Sequence, residues 1–163
     1  ARTFISVPIT RGSETGDGSR SRMRRAEVET VIKELQSILR NDPGKRIGII
    51  TFYSAQAKAL LEEIQKFLDE EQKRLVEVGT VDAFQGKEYD YVILSAVRSN
   101  EIKNDPQKSV GFLVKPNRLC VAFSRAQRQL IVCGDPNTLQ QVDPFDKLMN
   151  LCKTGKEGLY REC

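Results

Sequence analysis

Short, β-branched apolar runs separated by helix-length segments constrain this chain more than any other feature. Thr3 to Ile9 carries Phe4, Ile5, Val7 and Ile9 and predicts a first strand. Residues 24–40 place Val28, Val31, Ile32, Leu35, Ile38 and Leu39 at helical spacing, which predicts a helix with one buried face. Asn41-Asp42-Pro43-Gly44 ends it, because proline cannot continue a helix and glycine favours the turn. Arg46 to Phe52 is nearly continuous in apolar residues, as expected of a strand covered on both faces. Ser54 then reads as the N-cap of a second helix, with Ala57, Leu60, Leu61, Ile64, Phe67 and Leu68 on one side. Strands over 76–81, 89–97 and 129–133 follow. Between them lie a turn at 82–87, a polar surface loop at 99–109 and a helix at 116–126 with proline in its first turn. Helical stretches begin at Thr138 and Pro144. The alternation predicts a three-layer α/β fold with a mainly parallel central sheet.

Neither an internal repeat nor a linker divides the chain, so residues 1–163 are expected to form one domain. Residues 11–22 are rich in Gly, Ser and Arg and predict a flexible loop, and 155–163 predict a polar tail that frays. The chain opens on Ala1-Arg2 already in a strand-like run, which suggests a piece of a longer protein. Hydrophobic residues make up 39% and charged residues 29%, enough for a folded core. The net charge of +4 permits an anionic partner without demanding one. Histidine is absent and the 4 cysteines never fall as C-x-x-C, which argues against a zinc site. Cys120 and Cys133 sit in apolar runs and read as buried, reduced thiols of an intracellular protein. No apolar stretch is long enough to span a bilayer as a helix, so no membrane partner is expected.

Ligands in doubly wound domains bind beyond the carboxyl ends of strands, and three segments that follow strands here carry polar residues a loop does not need for folding. The first is residues 51–56, Thr-Phe-Tyr-Ser-Ala-Gln; a capping Ser54 and a solvated Gln56 account for it on its own. The second, residues 79–90, gathers Thr80, Asp82, Gln85 and Glu88 around Gly86, where the backbone can turn tightly or approach a ligand. Thr80 and neighbouring N–H groups suit a phosphate, and Glu88 suits a sugar hydroxyl; a polar turn explains the segment about as well. The third, residues 117–128, carries Arg118 and Arg125 on one helical face, fitted either to structural salt bridges with Asp82 or Glu88 or to an anion clamp.

Taken together and in order, these segments resemble motifs IV, V and VI of superfamily 1 helicases of the Upf-like branch, which includes senataxin. Residues 47–56 match its I-G-I/V-I-T-x-Y-x-x-Q pattern, and 80–88 match V-D-A/S-F-Q-G-x-E. Residues 97–100 match V-R-A/S-N, and 110–113 with 117–126 match G-F-L followed by the arginine-bearing motif VI. The resemblance runs from the first strand to about Asp135. Cys120 stands where the family usually has Asn, which bears on a hydrogen bond behind motif VI. Arg24 stands where an Asn commonly precedes the first helix, a change expected to touch packing only.

The resemblance implies a second RecA-like domain lacking its own P-loop, since no G-x-x-x-x-G-K-S/T occurs. It implies that Arg125 is an arginine finger for ATP with Mg2+, bound mainly by the first RecA-like domain of the same protein. Gly86, Glu88, Gln85 and Arg98 would serve the nucleotide. Thr80, Val81, Asp82 and Ser54 would face a single-stranded RNA or DNA backbone, with Arg118 and Gln56 as weaker candidates. It further implies a cytoplasmic or nuclear helicase, with translocation 5′ to 3′, whose isolated second domain does not hydrolyse ATP. Two rivals stand beside it: a degenerate lobe that only binds nucleic acid or protein, and a metal-dependent nuclease built on Asp82, Glu88 and Asp90.

Overall fold

The computed structural model describes residues 1–16, 18, 21–114, 116–155 and 158–163. The strands are β1 (Arg2–Ser6), β2 (Thr15–Gly16), β3 (Arg22–Met23), β4 (Ile47–Thr51), β5 (Val76–Thr80), β6 (Tyr89–Ser95), β7 (Ala126–Gly134) and β8 (Gly158–Glu162). The helices are α1 (Arg25–Asn41), α2 (Ser54–Ile64), α3 (Glu70–Leu75), α4 (Pro106–Val110), α5 (Pro116–Phe123), α6 (Pro136–Leu139) and α7 (Asp143–Lys153). A 6-stranded sheet in the order β5-β4-β6-β7-β1-β8 is parallel throughout, and β2 and β3 form a small antiparallel ladder apart from it.

Successive strand residues point to opposite faces, and each face has its own core. Ile5, Ile49, Ile93, Ile131 and Cys133 pack on one side with Val28, Val31 and Leu35 of α1 and Leu60 and Ile64 of α2. Phe4, Ile50, Val92, Leu94, Leu130 and Val132 pack on the other with Leu119 and Ala122 of α5 and Phe145 and Leu148 of α7. Helices therefore cover both faces, which is why the central strands are apolar in nearly every residue. This is the three-layer α/β arrangement with a parallel sheet that the alternation predicts.

Several local expectations need correcting. Ser54 is the first residue of α2 and not its cap; Tyr53 occupies that position, and its side chain does not cap the helix. The Ser21 hydroxyl instead accepts from the Ala55 N–H at 2.9 Å, so the cap comes from a distant segment. The second helix stops at Ile64, and Leu61 is 43% exposed. Asp69-Glu70-Glu71 opens α3 through a capping box between Asp69 and Gln72.

The loop expected at 11–22 holds the β2–β3 ladder, and for Asp17, Ser19 and Arg20 the expectation lies outside the described residues. The tail expected to fray instead pairs Gly158–Glu162 with Arg2–Ser6, while Lys156 and Glu157 lie outside the described residues. The surface loop at 99–109 carries buried Ser99 and Ser109 and ends in α4. Cys120 is exposed and Cys133 is buried, so the expectation for the cysteines holds for one of that pair. No helix among the described residues is long and apolar enough to cross a membrane.

Candidate nucleotide cleft

The connection from β5 to β6 positions the site. Thr80 ends β5 level with Thr51, at the carboxyl edge of the sheet. Residues 81–88 then pass down the sheet without a helix of α type, and Tyr89 starts β6 at the opposite edge. A 3-10 turn at Val81–Phe84 begins that descent, with Val81 and Phe84 buried. Gly86 has φ +76 and open space where a Cβ would stand, so backbone conformation, not crowding, calls for glycine there.

Arg125 follows α5 and precedes β7. Its N–H groups at Nη1 and Nη2 donate to the Lys87 carbonyl at 3.3 Å and to the Ser124 hydroxyl at 3.0 Å. The Tyr89 N–H donates to the Arg125 carbonyl at 2.9 Å, which locks the start of β6 to the start of β7. The Nε of Arg125 is buried and has no acceptor among the described residues, although the residue as a whole is half-buried. A buried guanidinium N–H without an acceptor is costly, and the accessible edge of a guanidinium suits an oxyanion.

Arg125 lines a cleft of about 490 Å³ with Arg46, Gly86, Glu88, Tyr89, Asp90 and Gln127. The Gln127 amide donates to Glu88 Oε2 at 2.7 Å and fixes that carboxylate. The cleft floor is Tyr89, whose hydroxyl donates to Glu77, while Lys87 bonds Glu77 at 2.8 Å. Burial works against charge on Glu77, but the bonds from Lys87 and Tyr89 and the charges of Lys87 and Arg46 outweigh it. They hold that carboxyl below its ordinary value. Burial and the Glu77 carboxylate push the Tyr89 phenol well up, so it stays a donor.

This cleft lies at the amino ends of β6 and β7, which corrects the expectation of carboxyl ends. The motif V descent and the entry into β7 carry the site there, so the rule for loops after strands does not reach it. Arg98 is separated from it. Arg98 follows the carboxyl end of β6, and Tyr89–Ser95 spans 7 residues, so at about 3.3 Å per residue the sheet puts it on the order of 20 Å from Glu88. Arg98 is 6% exposed; its Nε pairs with both Glu14 oxygens at 3.0 Å, and its Nη2 donates to the Lys108 carbonyl. Burial opposes its charge, but Tyr53 and Glu14 outweigh it and raise its pKa. It lines a separate cleft with Glu14, Tyr53 and Asn100.

Of the other sequence candidates, Gln85 and Asp82 are exposed and Thr80 is half-buried. Val81 is 1% exposed, so its side chain belongs to the core. Ser54 is exposed, and its hydroxyl lies 3.3 Å from that of Ser21. Gln56 is fully buried and not solvated: it accepts from the Arg24 N–H at 2.9 Å and donates to Ser95 Oγ at 3.0 Å. Arg118 meets Asp82 at 3.1 Å, one of the pairings the sequence allows. Sequence reasoning missed Gln127 and Arg46. Gln127 was hidden by the expected helix over 116–126; α5 instead ends at Phe123, and β7 runs from Ala126 through Gln127. Arg46 carried no signal beyond opening a strand.

A model of the AAA domain family matches residues 2–137. The chain belongs to that family. Its curated relatives are helicases of the Upf-like branch. It is 36% identical over 150 residues to Regulator of nonsense transcripts 1 of Caenorhabditis elegans, covering 91% of this chain and 13% of the relative. It is 35% identical over 134 residues to Helicase required for RNAi-mediated heterochromatin assembly 1 of Schizosaccharomyces pombe, covering 81% of this chain and 13% of the relative. It is 42% identical over 117 residues to DNA polymerase alpha-associated DNA helicase A of Saccharomyces cerevisiae, covering 71% and 16%. The AAA domain chain thus spans a small part of each relative's length. Its fold is similar to the C-terminal domain of a possible DNA helicase from Lactobacillus plantarum WCFS1, at TM-score 0.53 and 17% identity, covering 99% of this chain and 83% of that one. The AAA domain described here is therefore a Upf-like, superfamily 1 helicase C-terminal domain with a RecA-like fold.

Proposed function

We propose that this domain is the C-terminal motor lobe of an ATP-dependent RNA or DNA helicase and that Arg125 is its arginine finger. The observation that carries the reading is that Arg125 lines one cleft together with Glu88 and Gly86. Mg2+-ATP, held mainly by the first RecA-like domain of the same protein, supplies the transferable phosphoryl group, and the reading assigns the Mg2+ ligands to that domain. Arg125 then offers its guanidinium to charge that develops during transfer, a contribution of roughly 10³–10⁵ in rate for such fingers. Glu88, oriented by Gln127, accepts from a ribose hydroxyl. Gly86 allows close approach, and exposed Gln85 lines a small groove with Asp82 and Arg118.

Thr80, Asp82 and Ser54 belong in this reading to the single-strand track; Val81 contributes packing and Gln56 holds α1, α2 and β6 together. Arg98 drops out of the nucleotide set and joins a buried network. Binding through backbone contacts predicts slight sequence preference and strong salt dependence. In the full-length protein, Arg125→Ala should lower ATP turnover by roughly 10³ or more while single-strand binding persists. Unchanged turnover would leave the domain a binding module. A second expectation is that the isolated domain shows no multiple-turnover hydrolysis.

A further inference from the structure

Arg46 immediately precedes β4 and lines the same cleft as Arg125. Its backbone N–H donates to Asp90 Oδ2 at 3.0 Å, which fixes the residue at the amino end of β6. The guanidinium is not spent on that carboxylate; the other Asp90 oxygen faces Arg128 Nε at 3.5 Å. Instead the guanidinium carbon sits 5.0 Å from the centroid of the Tyr89 ring. That ring is 2% exposed and held from behind through Glu77 and Lys87. Among the described residues Arg46 makes no ion pair. A guanidinium resting on a fixed ring face is pre-organised, yet its in-plane N–H donors remain open to a planar or tetrahedral anion.

We propose that Arg46 is a second phosphate-binding cation of this cleft, gripping the polyphosphate of the nucleoside triphosphate that Arg125 addresses. The inference rests on the reading of the cleft as a nucleotide site. The two arginines have different tasks. Arg125 lines the cleft with a half-buried guanidinium held at Lys87 and Ser124, and in the proposed reading it meets charge that appears during transfer. Arg46 is exposed on the wall and binds ground state and transition state alike, and such uniform binding shows in KM and not in kcat.

The test compares Arg46→Ala, Arg46→Lys and Arg125→Ala in the full-length protein at saturating single-stranded nucleic acid, with binding of a fluorescent ATP analogue measured alongside. Because Arg46 is exposed, its variants are expected to fold, and a thermal melt checks this. Arg46→Ala should raise KM for ATP and the analogue's Kd roughly two- to fivefold, as expected for one exposed charged contact. Its kcat should stay within about twofold, and Arg46→Lys should recover most of the affinity. Unchanged KM and Kd in Arg46→Ala, with turnover lost in Arg125→Ala, would overturn the Arg46 proposal and leave the cleft intact. A lysine as poor as alanine would also overturn it, since charge would not be what Arg46 supplies. Full turnover in Arg125→Ala would instead sink the underlying reading.

Discussion

Asp82 and Arg118 meet at 3.1 Å, tying the turn after β5 to the helix that leads into Arg125. Both line a small groove with Val81, Gln85, Asn117 and Val121. The pair is a bridge between the proposed single-strand track and the proposed finger. An exposed ion pair is worth about 0.2–1 kcal/mol, so Arg118→Ala should shift the urea midpoint little. Its effect should appear in coupling. In the full-length protein the two alanine variants should lower nucleic-acid-stimulated ATP turnover, and the double variant should be no worse than the more damaged single one. Strictly additive losses in that double-mutant cycle would show that the pair transmits nothing.

Arg24 and Glu27 form a fully buried pair at 3.1 Å. Arg24 also donates to the Gly12 and Pro8 carbonyls at 2.7 and 2.9 Å. Glu27 Oε1 accepts from Ser95 Oγ at 2.8 Å and from the Val97 N–H at 2.9 Å, where Val97 has φ +72. Burial raises the Glu27 pKa, while the Arg24 charge and these bonds pull it back. Glu27→Gln would leave a buried cation without its counter-charge and should destabilise the chain by about 3–5 kcal/mol in urea unfolding. Replacing Arg24 with Met in the same chain should recover part of that loss. No recovery would mean that the bonds to Ser95 and Val97, and not the charge pair, dominate.

Glu77 predicts an acid dependence. Its carboxyl is held below the ordinary value of 4.5 in the folded chain. A depressed carboxyl stabilises the fold above its unfolded pKa, and that contribution is lost as pH falls through the folded value. Glu77→Gln should therefore flatten the loss of stability below about pH 4.5, measured as urea midpoints across the acid limb, and should leave the slope near neutral pH unchanged. An unaltered acid limb would show that Lys87 and Tyr89 do not hold the charged form.

The chain's layers were legible because Ile47–Thr51 and Leu130–Cys133 are apolar on both faces and α1 is apolar on one. Only a sheet covered on both sides requires that combination. The positions of Arg125 and Glu88 at the amino edge were not legible, because residues 81–88 cross the sheet without a helix and no local pattern reports which way a loop descends. Gln56 misled because a polar residue at a helix start looks solvated until another segment covers it. Here that cover comes from the Arg24 backbone and from Ser95. β8 was illegible because its edge strand, Gly-Leu-Tyr-Arg-Glu, buries too little to leave an apolar signature.

Two glycines beside the cleft should fail for opposite reasons when changed to alanine. At Gly86 the φ of +76 sets the cost and there is open space for a methyl group. Left-handed backbone costs an L-residue about 1–2 kcal/mol, less for asparagine, so Gly86→Asn should be milder than Gly86→Ala. At Gly48 the backbone is ordinary, but a Cβ would stand 3.0 Å from the Tyr89 ring and 3.2 Å from Phe84. Gly48→Ala should therefore cost about 1–3 kcal/mol through overpacking, and asparagine should be worse than alanine. Urea midpoints of the four variants give the ranking. An asparagine that is worse at Gly86, or milder at Gly48, would contradict the backbone cause at the first or the crowding at the second.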